Sequence, residues 1–188
     1  SQALNLGPTN VAGTAVLTTG GPLTQDGDLQ VGGTTMIDAP RQNVQLDRPG
    51  NDFGGRVSVT AHDVSLRDLS ALNLAATTTG TLNTTSQALL LGTTTVGGTA
   101  VLNADRAVTQ DGDVQVTGTT AINAAGQTVL LDRAANEFTG RLTVSAKDVT
   151  LRDASDLSLA GSITGNLITT SQALNLGPTN VAGTAVLT

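Results

Sequence analysis

The chain has 188 residues, a formal charge of −6, two Phe, one His and no Cys, Trp or Tyr. These counts exclude a disulfide framework and thiol chemistry, and a single His argues against a zinc site. Acidity without stacking rings argues against a nucleic-acid partner, and no apolar run approaches the ~18 residues of a membrane span.

Charged residues make up 13% and apolar residues 38%, which is too apolar for a disordered chain. With 32 Thr, 22 Gly and almost no aromatic rings, the core has to be built from Val, Leu, Ile, Ala and Thr, a β-sheet palette.

In chain order, the first 85 residues divide into four segments, 1–21, 22–42, 43–63 and 64–85. Apolar residues alternate at period two in Leu4-x-Leu6, Val44-x-Leu46, Val57-x-Val59, Val64-x-Leu66 and Leu72-x-Leu74, so each stretch is a short strand with one buried face. Gly, Asn, Asp and Pro stand between the stretches, where turns need them. No stretch carries a 3.6-residue period long enough for a helix.

The pattern then restarts. Residues 86–170 align with 1–85 without a gap and match at 50 of 85 positions, and residues 171–188 repeat 1–18 without a change. The expected organisation is one continuous array: repeat one over 1–85, repeat two over 86–170, and the start of a third over 171–188, a window on a longer protein. Short strands recurring at a sub-period of about 21 residues predict an all-β fold, a parallel β-helix (β-solenoid) with about 21 residues per rung and four rungs per repeat. A repeated β-sandwich is the weaker alternative, because its strands would lack the sub-period and its core usually carries Trp or Tyr.

Side-chain columns fit stacked rungs. With Val44–Arg48 aligned on Val64–Asp68, Val and Leu fall inward, Asp47 lies over Arg67, and Arg48 over Asp68. The same swap recurs with Asp132, Arg133, Arg152 and Asp153. Opposite charges one strand spacing apart would help to fix register. A second motif, N-[DE]-F-x-G-R-[VL]-[ST]-V, covers Asn51–Val59 and Asn136–Val144. Its Phe53 and Phe138 are expected in the core, and Asn51, Gly55, Asn136 and Gly140 at a corner where the backbone turns and positive φ is useful.

The motif continues as V-x-A-x-D-V-[ST]-L-R-D-x-S-x-L-x-L over 59–74 and 144–159. In this the chain resembles the shaft repeats of filamentous-haemagglutinin-like exoproteins, bacterial surface adhesins exported by two-partner secretion. The resemblance implies a right-handed parallel β-helix acting as a secreted stalk at the cell surface or in the extracellular matrix. Its roles there would be adhesion, biofilm cohesion or contact-dependent toxin delivery. One departure is visible: the shaft repeat of that family is a single rung, whereas four unlike rungs make the unit here.

Other chemistries leave fainter traces. Carbohydrate-cleaving β-helices use paired carboxylates, which directs attention to Asp26, Asp28 and Asp47 and to Asp111, Asp113 and Asp132. An enzyme needs one site, and these acids recur in each repeat beside Arg or within turns, so no catalytic residue and no cofactor is expected. The Asp-Gly-Asp turns carry the oxygen ligands that Ca²⁺ takes, making Asp26, Asp28, Asp111 and Asp113 the candidate metal ligands, although a solvated turn explains them as well. His62 is replaced by Lys147 in repeat two, so no shared role depends on imidazole. Gln25 and Gln110 need hydrogen-bond partners if they face inward. Thr clusters at 34–35, 77–79, 84–85 and 93–95 form no regular T-x-T column of the kind ice binding would use. The expectation is therefore a non-enzymatic structural shaft. Its partners are neighbouring repeats, with end-to-end or lateral self-association. Glycan or exopolysaccharide binding by the solenoid surface is the alternative, and neither nucleic acid nor membrane insertion is expected.

Overall fold

A computed structural model describes residues 2–188. The described residues form strands and turns only, with no helix, and the strands pair in parallel. The chain is all-β, a parallel β-solenoid. In the first turn β1 (Leu4–Leu6), β2 (Thr9–Val11) and β3 (Ala15–Thr18) follow one another around the axis, and β4 (Leu23–Gln25) then stacks on β1. Further on, strands run round a corner without a loop, as in Ala71–Thr78, Thr120–Leu131 and Leu142–Arg152.

Alternation puts one face of every strand into a narrow interior. Strand Thr35–Ala39 buries Thr35, Ile37 and Ala39 and exposes Met36 and Asp38. Val, Leu, Ile and Ala fill the core from end to end. Phe53 and Phe138 are its two bulkiest residues, both 1% exposed, as expected from the sequence.

Register sets the length of a turn. One column climbs from Leu4 through Leu23, Val44, Val64 and Leu82 to Ala100, which completes five turns. It continues through Thr120, Leu142 and Leu159 to Leu176, giving about ten turns in all. The step from Thr120 to Leu142 is the longest, those from Leu142 to Leu159 and on to Leu176 are the shortest, and the spacing averages ~19 residues. The expected 21-residue rung is therefore too long as an average, and the turn that begins with the continuous strand Leu142–Arg152 is among the shortest. Four rungs per repeat is corrected with it: at this spacing one repeat, from Leu4 to its copy Leu89, makes about 4.4 turns.

The consequence is geometric. Leu89, the copy of Leu4, lies between Leu82 and Ala100, two successive members of Leu4's own column, so it cannot belong to that column. It stacks instead on Leu72 and under Val108. Ala100, the copy of Ala15, takes the place in Leu4's column. Repeat two is thus turned by a little under half a revolution relative to repeat one, and each chemical feature of the repeat appears on a new side of the rod.

Candidate functional site: the buried amide pair and the charged turns

The Asn of the N-[DE]-F motif is buried with 0% exposure in both repeats. Asn51 Oδ1 accepts from Gln25 Nε2 at 2.8 Å and from the Leu29 amide at 2.9 Å. Its Nδ2 donates to Gln25 Oε1 at 2.7 Å and to the Leu46 carbonyl at 2.9 Å. Gln25 Nε2 also donates to the Gly27 carbonyl. Repeat two reproduces the set with Asn136, Gln110, Val114, Leu131 and Gly112. Each primary amide meets the other twice, and the corner backbone takes up the remaining capacity. This is why two polar side chains can sit in an apolar interior.

Positive φ plays no part at Asn51 or Gly55. Among the described residues it occurs at Arg41, Gly126 and Gly161. Gly55 is needed for space: a Cβ there would stand 2.6 Å from the Gly33 carbonyl oxygen, and one on Gly33 would stand 2.7 Å from that of Gly13. Gly98, Gly118 and Gly140 stack in the same way. Backbones at these corners approach too closely for any side chain.

The expected charge swap forms differently. Asp47 accepts from Ser65 and Gln45 rather than from Arg67. Arg48 turns to the rung below and pairs with Asp28 at 3.1 Å, and Arg133 does the same with Asp113 at 2.8 Å. Asp132, Arg67 and Arg152 are exposed and form none of the ion pairs among the described residues. Asp68 and Asp153 are inside, 3% and 4% exposed. The parity of Val64 and Leu66 carries on to Asp68, so its inward direction was readable from the alternation that located the strand. Asp68 accepts from the amide and hydroxyl of Ser70. Burial pushes its carboxyl above the ordinary value, and the Ser70 hydrogen bonds only partly oppose this. Asp153 accepts from Ser155 and from the Phe138 amide, tying the corner to the preceding strand Glu137–Phe138.

The four Ca²⁺ candidates do not converge. Asp26 accepts from Asn5, Asp28 and Asp113 hold their arginines, and Asp111 holds Arg56 at 2.6 Å. No group of three metal-capable side chains occurs among the described residues. His62 donates to or accepts from Thr79 and lies 3.8 Å from Asp63, whose carboxyl is lowered chiefly by the Thr81 amide bonded to it. An open surface trough lies over Val16, Met36, Ser58 and Ala75, and Asp38 is the one ionisable residue lining it.

The Arg56–Asp111 pair was not legible in the sequence. Arg56 Nε donates to Asn73 one rung up, and the side chain passes Gly92 to reach Asp111 of the following repeat. A Cβ on Gly92 would stand 3.4 Å from the guanidinium carbon. Arg141 lies beside Gly177 in the same manner. Successive repeats are thus joined by a side-chain strap as well as by the ladder.

A family model for repeats of unknown function, DUF5649, matches residues 1–60 and 80–145. The chain belongs to the DUF5649 repeats. No curated protein and no solved structure matches it. The matched stretches contain both amide pairs, the Gly55 and Gly140 corners and both members of the Arg56–Asp111 strap. The matched stretches of this chain thus include residues that build and join its rungs.

Proposed function

We propose that the chain is a length of structural shaft from a secreted bacterial filamentous adhesin, a rigid fibre that serves cell-surface attachment or biofilm cohesion. The observation that carries this reading is the unbroken join between repeats. Ala88–Val96 of repeat two stacks along Ala71–Thr78 of repeat one with the same parallel pairing found inside a repeat, and Arg56 straps across the join to Asp111. Such a rod lengthens by addition of repeats, and its stability accumulates along the axis because rungs contact only their neighbours. The resemblance of N-x-F-x-G and its continuation to haemagglutinin-like shafts supports the adhesin setting and the secreted location.

Two measurements test it. Arrays of one to six repeats should lengthen by about 21 Å per repeat at constant cross-section in small-angle scattering, the rise of about 4.4 rungs. The purified 188-residue chain should bind neither cells nor extracellular polysaccharide while the whole protein that carries it does. Saturable glycan binding by the chain alone would replace the shaft reading with a binding-module one.

A further inference from the structure

The outward residues of repeat two differ from those of repeat one in a directed way. Leu90 stacks under Thr109, and the pairing of Val108 with Val129 carries this column on to Leu130. Above Leu130 come Thr150, Ile168 and Val186. The same column in repeat one reads Asn5, Thr24, Gln45, Ser65, Asn83 and Val101. Three polar residues have become Leu, Leu and Ile, so four of the six side chains in this column are apolar, separated by Thr109 and Thr150, along six consecutive rungs spanning about 24 Å. Leu130, Ile168 and Val186 stand 38%, 44% and 47% exposed, and nothing in the chain covers them.

We propose that this stripe is a lateral interface that packs two copies of the chain side by side, with their axes parallel and pointing the same way. The flanking columns favour a second copy as the occupant. On one side of the stripe stand Asp132, Arg152 and Thr170, and on the other Thr128, Asp148 and Asn166. A two-fold axis running along the stripe lays each residue of one flank opposite the other flank of the partner. Arg152 then faces Asp148 twice, Asp132 faces Thr128, and no like charges meet. The face is small, about 300 Å² per copy from five residues' width and six rungs, against about 800 Å² for a standard interface. The contact is therefore weak and concentration-dependent. It goes beyond the shaft reading and holds whatever the shaft carries.

Sedimentation equilibrium of the intact chain between about 10 μM and 1 mM tests it. The apparent mass should rise above 18.8 kDa. The variant Leu90→Asn, Leu130→Gln, Ile168→Asn installs residues the chain already tolerates in repeat one. It should weaken association at least ~10-fold with unchanged circular dichroism and melting temperature. Arg152→Asp should weaken it as well. Because the chain has no Cys, Leu130→Cys and Ile168→Cys can each be offered a short bismaleimide. Both should link to themselves across the two-fold axis. A chain that stays monomeric at the highest concentration overturns the proposal. So does association that the triple variant leaves intact, and so does cross-linking at only one of the two cysteines.

Discussion

Replacing Asn51 by Ala removes four hydrogen bonds at one corner. Gln25 keeps its bond to the Gly27 carbonyl. The Leu29 amide keeps nothing in exchange, since the alanine methyl cannot accept, whereas the Leu46 carbonyl retains its place in the parallel ladder with Leu66. One orphaned buried amide at about 1–3 kcal/mol, together with the lost bonds to Gln25, gives an expected loss of about 3 kcal/mol. Asn51→Asp should be at least as costly near neutral pH. It retains an acceptor for the Leu29 amide but sets a carboxylate oxygen against the Leu46 carbonyl. Lowering the pH should partly rescue it, because a protonated carboxyl can donate there. The effect should also stay local, as rungs report only to neighbours. Amide hydrogen exchange reads this directly. In Asn51→Ala the Leu29 amide should exchange about 100-fold faster, the equivalent of about 3 kcal/mol, while the Val114 amide held by Asn136 is unchanged. Asn136→Ala should show the reverse. Less than about a tenfold change at Leu29 would refute the reasoning, because the corner would then have found other partners.

Three further outcomes follow from the same geometry. Gly33→Ala should cost about 2–3 kcal/mol in urea unfolding, since its Cβ meets the Gly13 backbone, whereas Gly13→Ala, which points into open space, should stay within about 0.5 kcal/mol; equal effects would contradict the close-approach argument. The half-exposed Arg56–Asp111 strap should show about 0.5 kcal/mol of coupling in a double-mutant cycle and lose it in about 1 M NaCl, and a coupling that salt leaves unchanged would speak against a solvent-screened pair. Asp68 has its carboxyl raised by burial, so the folded state holds that proton longer; its contribution to stability should fall as pH rises from about 4 through the folded value and be flat above, and Asp68→Asn should remove this slope. Asp63 is lowered by the Thr81 amide and works the other way, its contribution being lost as pH falls below about 4. Unfolding free energies between about pH 3 and 8 that show the same slope in wild type and Asp68→Asn would dismiss that account.

The class of fold is written in the order of the residues. Alternation at Val44-x-Leu46, Val57-x-Val59 and Val64-x-Leu66 settles which side chains are buried, because a strand has a side-chain period of two whatever it packs against. Repetition settles that the buried faces stack, since no single segment could cover its own. Membership of the core was therefore visible in advance, including Phe53 and Phe138. The inward direction of Asp68 lies in the same alternation, and Arg48 pairs with Asp28 rather than with it.

The pitch is a property of the folded rod. A turn is as long as its corners make it, and whether Ala71–Thr78 bends through a corner or stops for a loop depends on the rungs above and below. The rung averages ~19 residues, which puts the repeat out of phase with the solenoid. The partners of long side chains depend on that phase as well. Arg48 reaches down to Asp28 and Arg56 reaches up past Gly92 to Asp111, contacts between residues 20 and 55 positions apart. A linear pattern specifies what alternates and what repeats; which residues meet across rungs is fixed by the angle through which each repeat has turned.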